Sequence, residues 1–390
     1  LSEPTDWATN YDLISTISDS AYRIVVSPTL AAIPIFTLAG YILAESNISD
    51  RLIKFFKSSL GWLPGSTVLI VVILCAFFTA LTGGSGVTIL ALGAILYPIL
   101  VHDGYSKRFS LGIITTAGSL GLLFPPSLPA IIYSVTAGIN PLELFRQALI
   151  PAIFLMSIMF FYGLYMLPKN KKIEKFNFKN AYNSAKIAKW EIAIPVLIIL
   201  SLFSGFATLV ESAALLVLYV LTVELYIFKD VSFKDLPKII IDCSTLVGGV
   251  LIILGFAMGF TGYLVDAQIP LKILNFVQNT ISSKIIFLLA LNILLLIIGC
   301  LMDVFSAIIV VVPLIAPLAA YFGIDPFHLA IIFIANLELG YITPPVGMNL
   351  YLSSYRFNKD MPTIYSATLP FFFIRLIGVL IITYIPLFFY

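Results

Sequence analysis

Thr82-Gly83-Gly84-Ser85-Gly86 interrupts the apolar run 66–101, and Met302-Asp303 interrupts the apolar run 284–321. A helix that crosses a bilayer needs about 20 apolar residues, so each run is too long for one span. Two further apolar stretches, 109–137 and 327–356, are cut at Leu120 to Pro126 and at Leu337 to Pro345. Consecutive prolines remove backbone donors there and forbid a continuous helix. Irregular backbone at membrane depth is tolerated only where protein buries it or where it lines a wet cavity. Four such breaks in one chain carry the signature of a site.

Around them, 24–44, 142–167, 208–228, 238–264 and 364–387 are long and apolar enough to span as ordinary helices. The 390 residues are 60% hydrophobic and 11% charged. Soluble domains carry about 25% charged residues, so the composition is that of an all-α polytopic membrane protein embedded in a lipid bilayer. A net charge of +2 gives no basis for binding nucleic acid. Cys75, Cys243 and Cys300 are odd in number and lie in apolar stretches, which excludes a disulfide framework and a structural zinc site. With only His102 and His328, imidazole-rich metal chemistry has no basis either.

Lysines orient the chain. Lys169, Lys171, Lys172, Lys175, Lys179, Lys186 and Lys189 crowd the linker 169–189, which the positive-inside rule places in the cytoplasm. Counting spans outward puts Arg51, Lys54, Lys57, Lys107, Arg108, Arg356 and Lys359 on the same side. The acidic lead-in 1–23 then falls outside. This agreement holds only if 66–101 enters and leaves from the cytoplasm while 284–321 does so from the opposite side. The two runs are therefore expected to be re-entrant hairpins of opposite orientation.

Shifting the sequence by 219 residues aligns Pro98 with Pro317, Pro125-Pro126 with Pro344-Pro345, Pro151 with Pro370, Gly104 with Gly323, and Gly121 with Gly340. With 22 prolines in 390 residues, roughly 0.5 proline matches would fall together by chance. Opposite topology of the halves makes this an inverted repeat, the plan of many secondary transporters, with the site near the midplane where the repeats meet. The first repeat runs over 24–168, with an arm 47–63, hairpin 66–101 and broken helix 107–138. Helices in 190–235 follow the linker. The second repeat runs over 236–390, with arm 267–282, hairpin 284–321 and broken helix 327–356.

The breaks carry the candidate residues. Thr82, Gly83, Gly84, Ser85, Gly86 and Thr88 form a glycine-rich tip that exposes backbone carbonyls and adds hydroxyls, and Gly118, Ser119 and Gly121 stand at the matching break. Hard cations prefer such oxygen ligands at the ends of half-helices, which points to sodium; the plainer alternative is a tight turn for close helix packing. The second half offers Asp303, Ser306, Asn336, Glu338, Gly340 and Thr343. Intramembrane carboxylates are costly and mark ion paths unless they form a buried structural pair. Candidate substrate contacts are Ser85, Pro126, Ser127, Pro345 and Arg375. Arg375 lies mid-span and could pair Glu338, bind a substrate carboxylate or contact another subunit. Glu211 reads as a structural hydrogen-bonding group. An intramembrane serine protease is the alternative of another class, because Gly83-Gly84-Ser85-Gly86 fits the short serine motif of rhomboid intramembrane proteases. That serine needs a histidine base, and neither His102 nor His328 is placed to supply one.

At these residues the chain resembles the large membrane subunit of tripartite ATP-independent periplasmic (TRAP) transporters. The resemblance is carried by Ala32 to Gly40, Thr82 to Gly86, Gly121 to Ser127, Gly299 to Asp303, Gly323 to Pro326, Asn336 to Asn349 and Ile382 to Pro386. The family's Thr-Pro-Thr-Glu reads Thr208-Leu-Val-Glu211 here, and its serine-rich first tip is glycine-rich. The resemblance implies an elevator-type, Na+-coupled importer of organic acids in the bacterial inner membrane, with a small four-helix membrane subunit and a periplasmic substrate-binding protein as partners. It also implies that the hairpins and broken helices form the moving domain. A stand-alone anion/sodium symporter of related architecture is the alternative. Repeat symmetry further calls for an additional apolar helix upstream of Leu1.

Overall fold

The computed structural model describes residues 22, 28–168, 176–281 and 283–388. The lead-in apart from Tyr22, the basic stretch Lys169 to Lys175 and the expected upstream helix lie outside the described residues. Among the described residues there are helices and connecting turns and no strand.

Helix α1 (Pro28–Glu45) bends by 75° into α2 (Ile48–Leu60), the first arm. Hairpin 1 is α3 (Ser66–Thr82) and α4 (Ser85–His102). Gly83 reverses the chain between them at φ 70°, a left-handed conformation that glycine adopts without steric cost. The first broken helix is α5 (Lys107–Ala117), a 3-10 turn (Leu120–Leu123) and α6 (Leu128–Ala137), bent by 44°. Pro125, Pro126 and Pro129 lack the donors a continuous helix would use, and Ser127 restarts the helix by accepting the Ala130 N–H at 3.3 Å.

Helix α7 (Pro141–Tyr165) closes the first repeat and is followed by α8 (Phe178–Ile187), α9 (Lys189–Phe203) and α10 (Leu209–Leu221), which ends in a π turn, Thr222–Ile227. Thr208 and Glu211 form a reciprocal capping box at the start of α10, the structural role expected for Glu211. The second repeat contains α11 (Leu236–Asp266), the arm α12 (Ile269–Thr280), hairpin 2 as α13 (Lys284–Leu301) and α14 (Val304–Tyr321), the broken helix α15 (Pro326–Gly340) and α16 (Met348–Phe357), and the last helix α17 (Met361–Tyr384).

The inverted repeat is visible in the packing. The first arm of each hairpin lies on its own repeat's broken helix: α3 on the 3-10 turn, α13 on α15. The second arm crosses over, α4 onto α16 and α14 onto α6. Each hairpin thus staples one repeat to the other, and the ring pair Tyr133–Phe333 at 5.5 Å fills the space between the broken helices. In lipid the apolar effect does not favour one helix contact over another, so close packing and polar links must hold this arrangement.

One polar link lies away from the breaks. Arg51 of α2 forms ion pairs with Glu191 of α9, with Glu224 of the π turn at 3.4 Å and with Asp230, and it stacks on the Phe228 ring at 3.8 Å. The first arm is fastened by this cluster to α9 and the end of α10.

Candidate functional site

The two breaks and two tips converge, but the residues singled out by sequence divide into three groups. In the first, the Ser85 hydroxyl donates to Asn349 Oδ1 at 2.7 Å, and Asn349 Nδ2 donates to the Thr115 carbonyl at 3.2 Å. A chain of polar atoms therefore runs from the tip of hairpin 1, through the second broken helix, to the end of α5. Beside it, the Thr79 and Thr88 hydroxyls lie 2.6 Å apart, and Thr79 Oγ1 donates to the Gly118 carbonyl at 2.6 Å. Thr82 bonds back to the Phe78 carbonyl at 2.8 Å. The hydroxyls of Thr79, Thr82, Ser85, Thr88 and Thr115 are all buried. The proton of Ser85 thus goes to an amide carbonyl, which cannot act as a base, so the protease alternative lacks its chemistry here.

The second group surrounds the tip of hairpin 2. Asp303 Oδ1 accepts the Phe305 and Ser306 N–H groups at 2.9 and 3.0 Å, and Ser306 Oγ donates to Oδ2 at 2.5 Å. The Val304 N–H donates to Tyr341 Oη at 2.6 Å, and Cys300 Sγ lies 3.2 Å from the Thr343 carbonyl. The tip thereby meets the second break. Asp303 and Ser306 are half-buried, whereas Thr82, Gly83, Ser85 and Gly86 at the tip of hairpin 1 are buried and Gly84 is half-buried.

The third group lies apart from both tips and includes one of the pairings left open by the sequence, Glu338 with Arg375. Asn336 faces away from Asp303 and donates to Asn292 Oδ1 at 2.8 Å, an oxygen that also accepts from Thr383 at 3.2 Å. Glu338 is paired with Arg375, whose Nη1 donates to Ser119 Oγ at 3.1 Å. A cation on Ser119 or Glu338 would sit beside a guanidinium and be repelled by it. Arg375 is fully buried, and its Nη1 and Nη2 are engaged by these partners.

The proline pairs differ in exposure. Both Pro-Pro bonds are cis. Pro126 and Ser127 are buried, with the Ser127 hydroxyl donating to the Leu122 carbonyl, whereas Pro344, Pro345 and Val346 are exposed. Gly121 and Gly340 mark the crossings of hairpin and break: a Cβ on Gly121 would stand 2.3 Å from the Ala76 carbonyl oxygen, and one on Gly340 would stand 2.6 Å from Gly299 Cα. Both are points of close backbone approach.

The sequence reading passed over Thr79, Thr115, Asn292, Tyr341 and Asn349. Asn349 sits within the proline-interrupted stretch and Thr79 lies one turn before the first tip, but nothing in composition tells which face of a helix turns inward. The repeat equivalence of Ser119 and Glu338 is legible in the sequence, because the shift that aligns Gly121 with Gly340 also aligns Ser119 with Glu338.

Crossed hairpins on two broken helices, with oxygen-rich junctions and an inverted repeat, define a polytopic membrane transporter. The family model described as "Tripartite ATP-independent periplasmic transporter, DctM component" matches residues 7–388, and the chain belongs to that family. Among curated relatives, a C4-dicarboxylate TRAP transporter large permease protein of Pseudomonas aeruginosa is 34% identical over 361 residues, 92% of this chain and 84% of that protein. An isethionate TRAP transporter permease protein of Oleidesulfovibrio alaskensis is 30% identical over 376 residues, 96% of this chain and 59% of that protein. The crystal structure of the Alcanivorax borkumensis YdaH transporter shares the fold with a TM-score of 0.69 at 11% identity, covering 97% of this chain and 88% of that one.

Proposed function

We infer that this chain is the permease of a sodium-coupled importer that takes up small organic acids across the bacterial inner membrane. The observation that carries the reading is the pair of oxygen-rich junctions, one at each hairpin tip and each next to a repeat-related helix break. The first region is Ser85, Asn349 and the carbonyls of Thr115 to Gly118; the second is Asp303, Ser306, Tyr341 and Thr343. Half-helix ends that gather carbonyl and hydroxyl oxygens and one carboxylate suit a hard, weakly held monovalent cation.

Unequal exposure of the two proline breaks favours alternating access. A repeat that is symmetric in sequence and asymmetric in exposure can exchange the roles of its halves as the hairpin domain moves in an elevator motion. The relatives' printed substrates, a C4-dicarboxylate and isethionate, make a small organic anion the expected cargo. Membership in a tripartite family makes a small membrane subunit and a periplasmic binding protein the expected partners. Uptake that proceeds without a binding protein would favour the stand-alone symporter instead.

Uptake into liposomes tests the coupling. Asp303→Asn is expected to raise the sodium concentration for half-maximal uptake by about tenfold, the scale of a lost contact to a charged group. Ser306→Ala is expected to change it by only about two- to threefold. Unchanged sodium dependence in Asp303→Asn would remove Asp303 from the site.

A further inference from the structure

Ser119 and Glu338 are 219 residues apart, the interval of the repeat, so they hold equivalent positions in the two helix breaks. A single residue, Arg375 of α17, bonds to both. Two groups related by an approximate twofold and bridged by one side chain must lie beside its axis. Arg375 therefore stands where the two breaks face each other, and all three side chains are fully buried. A planar guanidinium suits this place because one nitrogen can take the carboxylate while another reaches a hydroxyl.

Ser119 is held from both sides. Its oxygen accepts from Arg375 at 3.1 Å, and its own proton goes to the Thr116 carbonyl at 3.2 Å. The neighbouring carbonyls are held as well, Gly118 by Thr79 and Thr115 by Asn349. The segment 115–119 is thus fixed by hairpin 1, by the second broken helix and by α17 together. Glu338 neutralises the buried cation, so the bond to Ser119 can form without leaving an unpaired charge in the membrane interior.

We propose that Arg375 is a positioning residue: charge-balanced by Glu338, it pins Ser119 and so sets the direction of the carbonyls at the first break. It touches neither cation nor substrate; it acts through the geometry of the break. The consequence for sodium rests on the cation reading of that region given above.

Ser119→Ala and Arg375→Lys remove the same bond from its two ends. Lysine keeps the charge opposite Glu338 but has a single nitrogen, and the serine variant keeps the ion pair whole, so one test survives if the other variant folds poorly. In the purified full-length transporter, sodium is titrated against choline and the half-saturating concentration is read from thermal unfolding. Each variant is expected to weaken sodium by about fivefold, as for one charge-assisted hydrogen bond. The double variant is expected to be no weaker than either single one, because both act on one contact. Sodium-free hydrogen exchange at amides 117–124 gives a second readout and should quicken equally in both variants. Effects that multiply in the double variant, or exchange that does not change, overturn the proposal. If the wild type shows no sodium response while exchange quickens as expected, the sodium reading falls and the positioning role stands.

Discussion

Glu338→Gln is expected to unfold the transporter in detergent at a markedly lower temperature than the native chain, by far more than a typical polar substitution. The pair Glu338–Arg375 has no exposure at either side chain. Removing the carboxylate charge leaves a guanidinium that stays protonated under all ordinary conditions, with only Ser119 and the neutral amide to accept from it. Stranding one member of a buried pair costs roughly 3–5 kcal/mol, a large part of the 5–15 kcal/mol that holds a typical domain together. The companion Glu338→Leu/Arg375→Met removes both charges and should recover most of the lost stability, since a buried pair is often worth no more than well-packed apolar groups. The unfolding midpoint of the three proteins decides this. A Glu338→Gln chain as stable as the native one would mean that solvent or another cation acceptor reaches Arg375. The recovered double variant should still handle sodium poorly, because its Ser119 is no longer held; stability and coupling separate there.

The same pair shows where reading a sequence stops. Prolines at 125, 126, 344 and 345 and glycines at 83, 121 and 340 declare themselves, because backbone that cannot continue a helix is a local property. Their spacing was enough to place two hairpins, two broken helices and the repeat. Side-chain partners are a tertiary property. Asn336 and Glu338 stand two residues apart on one helix and so point to different sides, one to Asn292 and the other to Arg375. Sequence alone put Asn336 with Asp303 and left Glu338 open between an ion path and a pair with Arg375, because a polar group in an apolar run attracts a functional reading whichever way it faces. Asn349 was hidden by the opposite circumstance. It lies among the polar residues of α16 and gains its meaning only from the crossing of hairpin 1 onto that helix.

Gly121→Ala and Gly340→Ala are expected to abolish most uptake, although each adds a single methyl group. At both positions the neighbour is backbone. A Cβ on Gly121 would meet the Ala76 carbonyl oxygen at 2.3 Å and the Ala80 nitrogen at 2.5 Å, and one on Gly340 would meet the Gly299 Cα and carbonyl carbon at 2.6 Å. A flexible side chain could swing aside, but helix backbone cannot, so α3 must move off the first break and α13 off α15. Overpacking of this kind costs about 1–3 kcal/mol or more, and in lipid these glycine contacts are the close approaches that hold helices together. Beyond stability, the shift would carry each hairpin tip away from its break and open the oxygen-rich junction that the tip completes. Gly248→Ala supplies the control: nothing stands within 4 Å of its Cβ position on α11, and alanine is the better helix former by up to about 1 kcal/mol. Uptake and unfolding measured side by side should rank Gly121→Ala as the most damaging, Gly340→Ala next, and Gly248→Ala as neutral. Normal uptake in Gly121→Ala would show that hairpin 1 does not rest on the first break during transport, and the crossed-hairpin account of the site would have to be given up.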